Sequence, residues 1–284
     1  MSLAVLGSGI IQGLAIALVA AGFTIIYNAT KVVNFANGQL MVLGGYVGWF
    51  LYSSHRLPFL VAAVGAIVSG VLLGIFSDRI VIGPLRNATL LTQVIALLAL
   101  TRVLDALYIQ IFGAEAKSFP PYAQTLALVP GFNWSQMDLI IMATCIIVAG
   151  LLFLFLYRTK LGTYMRATAD NPVGASLVGI NPRTIALAAW SIGGGLAALS
   201  GVLLIPKYLL TPNIGPNLTF DAFAAVIIGG FGSLSGAIVG ALAVGVGEAL
   251  VAGYFAAGYE PLVSLAVMLA VLTIRPTGLV GGRA

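Results

Sequence analysis

Charge is what this chain has least of. Only 7% of its 284 residues are charged, against 60% hydrophobic, where a soluble globular domain carries roughly a quarter charged residues. A water-soluble chain so poor in charge could not cover its surface, so lipid is the natural solvent for most of it. Cysteine and histidine occur once each, as Cys145 and His55. Disulfides and cysteine-based metal sites are thereby excluded, and so is a zinc cluster. Cys145 falls in an apolar run and reads as a small core- or lipid-facing residue; His55 falls in a polar break and reads as interfacial. None of the four lysines (Lys31, Lys117, Lys160, Lys207) stands in a G-x-x-x-x-G-K-[ST] context, so the chain has no phosphate loop of that kind. Ser233 and Ser235 have no histidine in plausible reach, which argues against a serine hydrolase.

What is abundant is uninterrupted apolar sequence. Mean hydropathy is +1.09, and the runs do not alternate, which excludes a barrel and leaves membrane-spanning helices. Apolar runs and breakers predict spans over 3–27, 40–52, 57–77, 88–112, 138–157, 184–205, 222–232, 236–255 and 261–275. The fold class is thus all-α, a polytopic bundle of eight to nine spans in one domain over 1–284. The first run has no basic region before it and no cleavage pattern after it, so it reads as a retained span. The runs 40–52 and 222–232 are too short to cross about 30 Å as straight helices, and are expected to extend into polar flanks or to be broken in the membrane.

The net charge of +5 does not point to nucleic acid, because the basic residues are scattered between apolar runs. They read as orientation signals toward lipid headgroups and cytoplasm. With the N-terminus outside, Lys31, Arg79, Arg86, Arg158, Lys160, Arg166, Arg183, Arg275 and Arg283 face the cytoplasm. Arg56, Lys117 and Lys207 face outward, and Arg102 lies within a span. The nine-to-three ratio places the C-terminus inside. The stretch MVLGGYVG at 41–48 reappears as VIIGGFGS at 226–233, an offset of 185 residues that also relates Phe35 to Phe220. Combined with the orientation, this gives an inverted repeat, with halves of about 1–112 and 184–275 around a linking span, as transporters often have.

Three places break the apolar pattern. The segment NATKVVNFANGQ at 28–39 brings Asn28, Asn34, Asn37 and Gln39 just ahead of Gly44 and Gly45, the repeat partners of Gly229 and Gly230. Amides both donate and accept, so this broken segment either borders a translocation path for a neutral or zwitterionic solute or is a loop with helix caps. Arg102 and Asp105 sit at i, i+3 within the fourth span, suited either to neutralise each other or to meet a solute. Asp221 lies beside an apolar run, and Glu248 is an intramembrane carboxylate with no partner assignable from sequence. The third place is the loop over 158–183. Asn171-Pro172 there reads as a helix cap and first turn, Gly179 as its end and Asn181-Pro182 as the cap of the next span. A short amphipathic helix at this mouth suits docking into another protein's groove; the alternative is a solvated connector.

RATADNPVGASLVGIN at 166–181, followed by a span and GGFGSLSGAIVGA, resembles the LivH-type permeases of branched-chain amino acid importers driven by ATP. GFTIIYNATKVVNFANGQLMVLGGY, DRIVIGPLRNATLL and RPTGL fit the same pattern, in the same order along nearly the whole chain. The pair Arg102 and Asp105 departs from it, and so does the region 113–137. The resemblance implies a coupling helix formed by Arg166, Ala169, Asp170, Asn171, Pro172, Gly174, Ala175 and Gly179, seated in a cytoplasmic ATPase. It implies a second LivM-like permease chain, two ATPase subunits that hold the ATP and magnesium, and a periplasmic solute-binding protein. This chain would bind no cofactor, catalyse no reaction, and reside in the bacterial inner membrane. The implied cargo is a branched-chain or related small amino acid, with urea, short amides or aromatic acids as other cargoes of such permeases. A single-chain secondary transporter is the competing class, disfavoured by the scarcity of buried carboxylates.

Overall fold

Each of the nine apolar runs becomes a helix in a computed structural model that describes residues 2–118, 125–129, 132–204, 209–254, 259–275 and 277–280. Lys207 and Arg283, both used for orientation, lie outside the described residues. The first half holds α1 (Ser2–Thr30), α2 (Asn37–Trp49), α3 (Phe59–Phe76), the single turn α4 (Gly83–Leu85) and α5 (Leu90–Phe112). A two-stranded antiparallel hairpin, β1 (Thr125–Val129) and β2 (Phe132–Ser135), leads into α6 (Gln136–Arg158), α7 (Lys160–Asp170) and α8 (Pro172–Leu177). The second half holds α9 (Pro182–Leu204), α10 (Gly215–Gly229), α11 (Leu234–Tyr254) and α12 (Glu260–Ile274).

Six helices among the described residues are long and apolar enough to cross a membrane, and the apolar part of α12 is shorter. The remaining two, α2 and α10, have 13 and 15 residues, about 20 Å and about 22 Å at the helical rise, less than the hydrocarbon thickness. Helix α10 starts at Gly215, seven residues before the apolar run that announced it. Its extension runs into the polar flank, and Pro216 falls in the first turn, where a missing N–H costs nothing.

Helices α1 and α9 are the centre of the bundle: 83% and 78% of their apolar windows are buried, against 22% for α6. The peripheral helix instead exposes Ile146, Ile147, Leu151 and Leu154, the apolar surface that lipid covers. Since lipid tails are as apolar as leucine, helices in a membrane associate by close contact between small residues. Gly9 and Gly13 of α1 meet Gly245 and Ala241 of α11, while Gly70 and Gly74 of α3 meet Gly194 and Trp190 of α9. At each of these four glycines a Cβ would collide with the facing backbone or side chain.

Candidate functional sites

The loop over 158–183 is built by local capping. Thr159 accepts the Gly162 N–H at 3.0 Å and starts α7, which buries Met165 and Thr168 while Arg166 lies over the Tyr157 ring at 4.7 Å. Asn171 Oδ1 accepts the Gly174 N–H at 2.8 Å, Pro172 fills the first turn of α8, and Gly179 ends the segment at φ +88°. Asn181 then caps α9 through the Arg183 N–H at 2.9 Å. Helix α8 buries Ala175, half-buries Gly174 and leaves Asp170, Asn171 and Pro172 exposed. Ala169 is half-buried at the end of α7. The apolar side chains of α8 and its C-cap point away from the bundle: Val173, Leu177 and Val178 are 68%, 83% and 77% exposed. The cap residues and the exposed apolar residues thus form one short surface, while Arg166 is engaged by α6.

The amide-rich break between α1 and α2 is closed inside the protein. Asn34, Asn37 and Gln39 are fully buried. Asn34 Oδ1 accepts the Ala36 N–H at 3.0 Å, and Asn37 Nδ2 donates to the Val19 carbonyl at 3.3 Å. Asn28 donates to the Gly232 carbonyl at 2.9 Å, tying the end of α1 to the α10–α11 turn. Gly44 and Gly45 face Ala198 and Gly201 of α9, and Gly229 faces Gly236 of α11. Gly230 ends α10 at φ +101°. All four are therefore places where backbones approach or turn. The neighbouring residues open outward: Phe35 and Thr219 line a cavity of about 550 Å³ together with Arg102.

Asp105 belongs to this closed region. Its Oδ1 accepts from Gln39 Nε2 at 2.6 Å, and the Tyr108 hydroxyl donates to the Gln39 carbonyl at 2.9 Å. Arg102 stands 3.6 Å from Asp105 Oδ2, yet its own side chain is 79% exposed. The pairing expected from sequence is present, but the closer bond to Asp105 comes from α2. Thr219 joins in by accepting the Gly38 N–H at 2.9 Å.

Glu248 finds partners that the sequence did not suggest. It is buried, and its Oε2 accepts from Gln12 Nε2 of α1 at 2.8 Å. Ser264 of α12 lies within hydrogen-bond reach of Glu248 Oε1 and also of Asp221 Oδ1, at 3.1 Å. The available signal was Gln12 itself, the one amide in the first 27 residues. No group of three or more potential metal ligands occurs among the described residues.

Comparison with known proteins adds ancestry to this geometry. Residues 5–272 match the family model described as branched-chain amino acid transport system / permease component. The chain is 31% identical to the high-affinity branched-chain amino acid transport system permease protein LivH of Escherichia coli, over 96% of this chain and 94% of that protein. It is equally similar, 31% with the same coverage, to BraD of Pseudomonas aeruginosa, a permease protein of the same description. A probable LivH of Methanocaldococcus jannaschii is 30% identical over 98% of this chain and 92% of its own length. Among solved structures, PsaBC from Streptococcus pneumoniae in complex with Fab shares the fold, with a TM-score of 0.53 at 16% identity, covering 95% of this chain and 91% of that one. A multi-pass helical bundle matched from end to end by such relatives belongs to the family of branched-chain amino acid permease components.

Proposed function

We propose that this chain is the membrane-spanning permease subunit of an ATP-driven importer that carries branched-chain or related small amino acids. The observation that carries the reading is α8, a capped helix at one end of the bundle with Val173, Leu177 and Val178 exposed beside one another. Exposed apolar groups on a short rigid helix suit a groove in a partner, and the partner proposed is one of two cytoplasmic ATPase subunits. ATP and its magnesium belong to those subunits, and this chain is not an enzyme. A second LivM-like permease and a periplasmic solute-binding protein complete the assembly.

The same reading sets the N-terminus outside and the C-terminus in the cytoplasm of the bacterial inner membrane. In its support, Arg79, Arg86 and Arg183 line one cavity, and Arg166 and Lys160 lie on α7, which packs against α1, α6 and α9. An excess of basic residues at one end marks the cytoplasmic side. We also read the architecture as nine spans or partial spans in an inverted repeat, the whole chain forming one permease domain. Reciprocal packing favours it: α1 rests on α11 as α9 rests on α3, with glycines at both crossings. The broken segment over 28–39 then borders the path with Phe35 at a cavity wall beside Thr219 of α10, while its own amides keep the break closed.

Co-expression with the ATPase subunits tests the proposal. Replacing residues 170–174 by a Gly/Ser stretch is expected to abolish co-purification of the ATPases while the permease still elutes as a folded species. ATPases retained by that variant would overturn the assignment of α8.

A further inference from the structure

Arg102 carries a charge at a depth where lipid is a poor neighbour for it. It lies about 18 Å along α5 from Leu90 and about 15 Å from Phe112, farther than its side chain can reach to either end. That side chain is 79% exposed, so the part of α5 that carries it is not covered by the chain's own helices. A charged group within a span faces the bundle interior or a water-filled cavity rather than lipid. Here it faces the cavity of about 550 Å³ between α5, α10 and the break that precedes α2.

The guanidinium has unused capacity. It carries five N–H donors, yet among the described residues it makes no hydrogen bond. Its ion pair with Asp105 Oδ2 is 3.6 Å long, beyond hydrogen-bond range. Asp105 is turned inward, with its side chain 9% exposed and bonded to Gln39, so it offsets only part of the charge. The two hydroxyls of the wall are committed elsewhere. Thr101 donates to the Leu97 carbonyl at 3.0 Å; Thr219 donates to the Gly215 carbonyl at 2.9 Å and accepts the Gly38 N–H. The remaining side chains of the wall are apolar, Phe35, Ile95, Leu98 and Phe220 among them. A guanidinium matches a carboxylate with two parallel N–H···O bonds, and an apolar wall with few polar anchors is the usual form of a small-molecule site.

We infer that Arg102 binds the carboxylate of the transported solute in this cavity, while Phe35, Leu98 and Phe220 take its apolar side chain. A solute that brings a carboxylate supplies the counter-charge that the chain itself provides only in part. The inference rests on the proposed function and adds to it the group of the solute that the membrane domain reads.

The test uses the complete transporter, both permeases with their ATPases, and three probes that share one aliphatic tail: isovalerate, isopentanol and isopentylamine. A ligand that binds only the folded state raises the unfolding temperature saturably. Isovalerate is expected to do so, and the alcohol and the amine are not. Arg102→Gln should weaken the isovalerate effect about tenfold or more, and Arg102→Lys by less, since it keeps the charge without the planar fork. An equal response to isopentanol, or an isovalerate response unchanged in Arg102→Gln, overturns the inference. So does loss of the second permease from purified Arg102→Gln, which would assign the guanidinium to the interface between the two chains. If the Arg102→Gln chain itself is not recovered folded, Leu98→Trp fills the cavity from its apolar wall and should likewise remove the isovalerate response; a retained response overturns the inference. Leucine uptake into proteoliposomes with ATP and the binding protein separates the two levels. Wild type that imports no branched-chain amino acid, yet responds to isovalerate through Arg102, defeats the cargo assignment alone. Wild type and Arg102→Gln importing leucine equally well defeats the site alone.

Discussion

Two polar clusters are built into this bundle, and they differ in what lies beside them. Gln39 and Asp105 are covered by protein, at 0% and 6% exposure, and bond to each other, and the Gln39 carbonyl also accepts from Tyr108. Gln12, Asp221, Glu248 and Ser264 are joined just as closely, yet every one of them lines a cavity. The first cluster bonds α2 to α5 through Gln39 and leaves Gln39 Oε1 and Asp105 Oδ2 buried without a hydrogen bond. The second ties α1, α10, α11 and α12 together at the wall of a cavity of about 440 Å³. Two buried polar networks of similar composition can thus differ in the space they surround.

The contrast can be attacked most strongly at Gln39. Gln39→Leu removes the amide that donates to Asp105 in a buried site, which should destabilise the protein by about 2–3 kcal/mol. Thermal unfolding in detergent would register this, and the cargo preference of surviving transporter should not change. A normal unfolding temperature would show that the bond from Gln39 to Asp105 does not hold α2 against α5.

A smaller effect is expected at Ser264. Ser264→Ala takes away one neutral donor while Gln12 still serves Glu248, a loss of about 1 kcal/mol in stability. Thermal unfolding in detergent measures it against the Gln39 variant. An unfolding temperature equal to wild type would show that the Ser264 bonds do not hold the second cluster together.

Arg102 should matter least to the fold. Its guanidinium is largely exposed and only 3.6 Å from a carboxylate already bonded to Gln39, so Arg102→Ala is expected to change stability by about 0.5 kcal/mol or less. A large drop in unfolding temperature would show that the first cluster depends on its ion pair.

The parts of the molecule legible in sequence are those whose cause is local. Asn171, Pro172 and Gly179 announce the start and end of α8 because a cap is made by residues three positions apart. Asn181 announces α9 for the same reason. Gly44 and Gly45 were legible as special but not for what they do: their partners, Ala198 and Gly201, lie in the other half of the chain. The strands β1 and β2 gave no readable pattern, being five and four residues long. Asp105 was assigned to Arg102 by i, i+3 spacing, while its nearer donor is 66 residues away.

Hydropathy alone determined that the chain is a helical membrane protein and where its helices run, because lipid offers the backbone no hydrogen bonds and every span must satisfy its own. Motif order along the chain determined the family. Tertiary structure decided which polar residues are closed off and which surround a cavity. Gln12 and Glu248 are 236 positions apart. Only the crossing of α1 with α11, made possible by glycines that let the two backbones touch, brings them to one wall.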